Sequence, residues 1–177
     1  QRNEGQSLSM GVLVPDQIPE MAEKMALSQR FSAMRLDGYR ACLDTQREIQ
    51  FAALTVDLGN GCLYLSFRGT DDTIVGWKED FNMAFLPIVP SQRLAVDYIR
   101  DVAARYPGRK LYIGGHSKGG NLTVYGSVFC GARIQRRILA VYNNDGPGFK
   151  ESLVSGHPGS DRQHRAPVLY RGDAAGA

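Results

Sequence analysis

The chain has 177 residues, 43% hydrophobic and 22% charged, with a net charge of +3. That balance suits one globular domain with a sizeable core and excludes disordered and fibrous classes. The one tight basic cluster, Arg133, Arg136 and Arg137, falls after a predicted helix, where cations complement the dipole, so no nucleic-acid partner is expected.

The N-terminus, Gln-Arg-Asn-Glu-Gly-Gln-Ser, is polar and has no apolar signal-peptide core. It also lacks an initiating methionine, which leads us to expect a fragment incomplete at both ends. Apolar positions Ile18, Met21, Ala22, Met25 and Ala26 predict a short amphipathic helix over 19–30. Residues 34–43 and 48–58 read as strands. The second runs into Gly59-Asn60-Gly61, a hairpin signal, so Cys62–Phe67 should pair with it antiparallel. Residues 68–72 form a loop, and 73–83 look helical, with Trp77, Asp80 and Phe81 near one face. Pro87 and Pro90 break the pattern. Ser91 is the expected N-cap of a helix over 92–105, and Pro107-Gly108 ends it. Lys110–Gly114 is the next strand, Asn121–Cys130 a helix, Arg137–Asn143 another strand. A hairpin followed by alternating helices and strands implies a mixed, mostly parallel sheet with helices on both faces, an α/β-hydrolase type of core.

The most informative stretch is Gly115-His116-Ser117-Lys118-Gly119, a G-x-S-x-G pentapeptide between a strand and a helix. That context is what the motif needs: a sharp turn lifts the serine above the sheet, and the glycines let strand and helix pass closely. Gly120 extends the glycine set. A chance match in a loop is the plainer alternative, and the flanking strand and helix argue against it. A phosphate-binding P-loop fails because the order is Ser-Lys-Gly rather than Gly-Lys-Ser. Ser117 is therefore the candidate nucleophile. The backbone N–H of Lys118 is the expected oxyanion donor, with its ammonium group facing the surface. Thr70, after the strand end Phe67-Arg68-Gly69, is the expected second donor through its N–H and hydroxyl; a plain capping turn explains Thr70 and Asp71 equally well. Asp145 follows in the chain order Ser…Asp…His and is the candidate acid, although turn chemistry in Asp-Gly-Pro-Gly is the slightly favoured account of it. His116 is too close to Ser117 in sequence to act as its base.

Cys42, Cys62 and Cys130 are odd in number and widely spaced, with no C-x-x-C. They argue against a disulfide framework and against zinc, and for a reducing, cytoplasmic compartment. His116, His157 and His164 form no metal-ligand spacing with them, so neither a metal nor a cofactor is expected. No apolar run approaches the roughly 18 residues of a membrane span.

Three segments carry a resemblance: Phe67 to Asn82, Gly115 to Leu122, and Tyr142-Asn-Asn-Asp-Gly-Pro-Gly-Phe149. Over about residues 10–155 the chain resembles a bacterial family of α/β-hydrolases of unknown function, related in motif to the class 3 lipases. The lysine after the serine and the Asn-Asn-Asp-Gly-Pro-Gly run are specific to that family; class 3 lipases usually carry leucine there. The resemblance implies Ser117 as nucleophile, Thr70 and Lys118 around the oxyanion hole, and Trp77 with Asp80 as support for that loop.

The likeness stops after Ser155. Read one base later, the codons of Arg165–Ala177 admit V-P-Q-S-S-I-V-G-M-L-L-E, the segment the family carries there. We therefore expect a partial α/β-hydrolase domain over 1–156 and an irregular, out-of-frame tail over 157–177, with the triad histidine lost along with the frame. His157 and His164 lie in that tail. The expected function is a serine ester hydrolase, lipase- or esterase-like, working through an acyl-serine on a small-molecule or lipid ester. The alternatives are a non-catalytic binding module on the same fold, a truncated inactive fragment, and an acyltransferase or peptidase using the same elbow. Substrate identity and oligomeric state do not follow from the sequence.

Overall fold

The computed structural model describes residues 17–71, 73–149 and, in backbone only, 168–171. The chain divides into two compact units, at Ala33 and Met34. Within the first, helix α1 spans Ile18–Leu27, with a proline in its first turn and a Glu20–Lys24 ion pair at 2.7 Å. None of its residues is buried.

The second unit is built on a six-stranded sheet in the order β1-β2-β3-β4-β5-β6. The strands are β1 (Arg35–Asp44), β2 (Ile49–Asp57), β3 (Cys62–Phe67), β4 (Lys110–His116), β5 (Ile138–Asn144) and β6 (Val168–Arg171). β1, β2 and β3 pair antiparallel, whereas β3 through β6 are parallel. The Gly59–Gly61 turn closes the β2–β3 hairpin, and both end glycines take positive φ, as the sequence requires. The helices are α2 (Ile74–Phe85), α3 (Pro90–Arg105), α4 (Lys118–Phe129) and the single turn α5 (Ala132–Gln135).

Because consecutive parallel strands are neighbours in the sheet, right-handed crossovers carry their helices to the same face. Ala95, Tyr98, Ile99 and Val102 of α3 and Leu122 of α4 accordingly share one core cluster with Phe51, Leu63, Leu65, Phe67, Leu111 and Ile113. Tyr64, Tyr112 and Tyr142 lie across neighbouring strands and are only half-buried. Of the helices expected on both faces, α3 and α4 thus cover one.

Pro90 corrects the sequence reading. It does not break the pattern but opens α3, where its missing N–H is no loss and its fixed φ is already helical. Val89, not Ser91, is the N-cap; its N–H donates to Gln92 Oε1 at 3.0 Å. The Ser91 hydroxyl has no partner among the described residues, and its N–H bonds elsewhere, as described below. The expected tail over 157–177 lies outside the described residues except for β6, which adds to the sheet beside β5.

Candidate active site

The parallel strands end on one edge of the sheet, and the candidate site lies there. β4 ends at His116, and α4 begins at Lys118. Ser117 joins them at φ 53° and ψ −128°, a conformation that an L-residue adopts only under local strain. Its N–H donates to Asn144 O of β5 at 2.9 Å, and its carbonyl accepts from Gly120 N at 2.8 Å and Asn121 N at 3.3 Å. The turn is therefore held from both sides. The glycines allow it: a Cβ on Gly119 would strike the carbonyl oxygen of Phe67, and one on Gly115 would strike the backbone of Gly119. Gly120 packs equally closely against Asn143.

The loop after β3 runs beside the serine. A Cβ on Gly69 would lie 2.7 Å from His116 O and 3.6 Å from Ser117 Cβ. The loop is braced by its own side chains. Arg68 Nη2 donates to Asp71 Oδ2 at 2.8 Å, and Asp71 Oδ1 accepts from the Thr73 N–H at 3.1 Å. Thr73 in turn caps α2 by accepting from Gly76 N at 3.0 Å. Thr70 sits inside this brace. Its Oγ1 is buried and bonds to no described residue, and its N–H is likewise without a described partner. The Lys118 N–H, at the head of α4, is in the same condition. Both expected oxyanion donors thus have no partner among the described residues, which is costly for buried polar groups unless something else engages them.

An open cleft of about 510 Å³ lies over the serine. Asp80, Met83 and Ala84 of α2 form one side, and Asp145, Gly146, Pro147 and Gly148 the other. Asp145 is exposed and takes φ 54°. The turn behind it is fixed by amides: Gly146 N donates to Asn143 Oδ1, and Asn121 Nδ2 donates to Pro147 O, both at 2.9 Å. Asn121 also accepts from Gln92 Nε2 of α3 at 2.8 Å. His116 is exposed. Trp77 is 54% exposed on α2 and lines a separate groove with Ile74, Lys78 and Phe81, whereas Asp80 lines the serine cleft. His157 and His164 lie outside the described residues.

The Lys118 side chain overturns the expectation of a surface ammonium. It is fully buried. Nζ donates to Gln50 O at 2.7 Å, to Gln50 Oε1, and to Glu79 Oε2 at 3.1 Å. Glu79, equally buried, also accepts from Gln50 N at 2.9 Å and, at its other oxygen, from Ser91 N at 3.0 Å. The reason is the course of β2, whose antiparallel start runs past the end of β3 and places Gln50 beside the elbow. Burial pushes the Lys118 pKa below the usual lysine range, and the Glu79 carboxylate opposes that fall. Sequence reasoning missed Gln50, Glu79, Gln92 and Asn121 altogether. One signal was available for the lysine: it is the only charged residue of α4, a helix whose first six residues are all buried.

Among the described residues, no helix is long and apolar enough to cross a membrane, and no group of His, Cys, Asp or Glu is placed to hold a metal. The sequence model of the Mbeg1-like family matches residues 25–167. No curated protein matches the chain significantly. Among solved structures, a fungal lipase–inhibitor complex, presented as a model for interfacial activation in lipases, matches with a TM-score of 0.55 at 16% identity. The match covers 77% of this chain and 56% of that one. The native Rhizomucor miehei lipase propeptide complex follows at 0.46 and 17% identity, over 64% of this chain and 42% of that one. At such identities the first likeness speaks for the fold, and the second is too loose to add to it. The chain spans little more than half the length of the first lipase and less than half of the second.

Proposed function

The chain belongs to the Mbeg1-like family, and from that membership together with the Ser117 site we propose that it is a serine ester hydrolase of the lipase or esterase type. The reading rests above all on one observation: a strained serine between strand and helix that lines an open cleft, with two expected donors that have no partner among the described residues. In this mechanism Ser117 Oγ attacks an acyl carbonyl and forms an acyl-serine, releasing the alcohol; water then releases the acid. The N–H groups of Lys118 and Thr70, with Thr70 Oγ1, receive the oxyanion. Asp145 orients the general base, a histidine. His116 is too close to Ser117 in the chain to serve as its base, so the base comes from outside the described residues; on the out-of-frame reading it is a histidine of the restored frame. The resemblance in motif to class 3 lipases, and the lipase likeness of the fold, favour a lipid or other hydrophobic ester. The free thiols of Cys42, Cys62 and Cys130 suit a reducing compartment such as the cytoplasm.

The test begins with resequencing the gene across codons 150–177 and several hundred bases beyond. The full-length protein it encodes is then treated with a fluorophosphonate. Labelling at Ser117 that disappears in Ser117→Ala supports the hydrolase. A protein that is not labelled, and whose Ser117→Ala variant keeps any partner binding intact, is a binding module that retains the elbow for structural reasons.

A further inference from the structure

Lys118 touches the site twice. Its N–H opens α4 next to Ser117, and its ammonium group lies fully buried against β2 and α2. A buried ion pair contributes little net stability, because desolvating both charges offsets most of their attraction. Glu79 already accepts two backbone N–H groups, from Gln50 and Ser91. Neutralising Glu79 is therefore an incomplete account of the lysine, and what else Nζ holds becomes the question.

It holds the Gln50 amide. With Nζ on Oε1, the amide can only turn its Nε2 the other way, where it donates to Gly69 O at 3.4 Å. The Gly69 carbonyl and the Thr70 N–H belong to one peptide unit, which is planar and trans, so they point in opposite directions. A donor on the carbonyl edge fixes where the N–H on the far edge points, and draws electron density from it. That N–H bonds to no described residue.

We propose that the Lys118 side chain, acting through Gln50, positions the Thr70 N–H for the oxyanion. One residue then supplies one donor from its backbone and aims the other with its side chain, so elbow and loop move as a unit. This builds on the hydrolase reading above. Lys118 Nζ, Gln50 and Glu79 are positioning groups and touch no substrate.

The experiment measures the second-order rate of Ser117 phosphonylation, together with thermal melting, in the full-length protein. Lys118→Met alone leaves Glu79 charged and buried, and confounds stability with function. The double variant Lys118→Met/Glu79→Gln removes both charges. It should label roughly 10²-fold more slowly, the loss typical of one oxyanion donor, and melt below the wild type, because a glutamine at 79 can accept from only one of the Gln50 and Ser91 N–H groups. Gln50→Leu should slow labelling comparably, and adding it to the double variant should cost little more, because all three act along one path. A double variant that labels at the wild-type rate overturns the proposal. Should that variant fail to fold, Gln50→Leu decides alone, since it cuts the link and keeps the ion pair. Wild-type protein that labels no faster than Ser117→Ala brings down the hydrolase reading and this one with it; brisk labelling that ignores Gln50 and Lys118 brings down the positioning alone.

Discussion

On the β3 side of Ser117 the cleft is backed by buried groups, Gln50, Glu79 and Lys118, each bonded to the next. On the β5 side the turn backbone is held by neutral amides, and the side chain it presents, Asp145, is exposed. The contrast teaches where the described residues invest their precision. The donors that would face a developing negative charge are fixed from beneath, in a region water does not reach, where their electrostatics are strongest. The Asp145 side is a solvated turn. A proton can be handed over by a group that arrives late; an oxyanion hole must already be in place.

The comparison is broken most severely at Gly119. Gly119→Ala drives a Cβ into the backbone of Phe67 and Arg68, so the end of β3 must move away from the elbow. A destabilisation of about 1–3 kcal/mol is expected from such overpacking, with labelling of Ser117 lost as the loop is displaced. Urea unfolding and fluorophosphonate kinetics check the two parts.

Asn121→Ala probes the other wall. It leaves Gln92 Nε2 buried without its acceptor and frees the Pro147 carbonyl, at an expected cost of about 1–3 kcal/mol. The β3 side shares no bond with Asn121, so Ser117 labelling should fall less than in Gly119→Ala. Equal losses in the two variants would show that the walls are one unit.

The smallest effect lies at the far end of the sheet and serves as a control. The Gly59 N–H first, and the Arg109 guanidinium second, hold the Asp57 carboxyl below the usual carboxylate range. A carboxylate whose folded pKa is depressed adds stability above its unfolded value and loses it as pH falls through the folded one. Asp57→Asn should therefore be slightly less stable than wild type at neutral pH and equal to it in strong acid, with Ser117 labelling unchanged. Melting curves across pH 2–7 check the sign.

Much of this was legible in the sequence because it is local. Gly59-Asn60-Gly61 forces a hairpin through backbone angles that few other residues tolerate. The glycines of the elbow signal close passage whatever packs around them. Asp71 and Thr73 cap within their own loop. Pro90 was misread because a proline both ends helices and begins them, and the capping of α3 at Val89 by Gln92 shows that it begins one here.

By itself, then, the sequence determined the order and type of the elements from α1 to β5 apart from the single turn α5, the strained serine between β4 and α4, and the loop of Thr70 that follows β3; the stretch holding β6 read as an irregular tail. Those features depend on chemistry within a few residues. Only the tertiary structure decided that Lys118 turns inward, for its partners lie 68 and 39 residues away, at Gln50 and Glu79. A lone lysine in a chain text reads as a solvated cation because exposure is its cheapest state. It takes a carboxylate and two oxygens of Gln50, brought together by the antiparallel return of β2, to make burial tolerable and to couple the two sides of the candidate oxyanion hole.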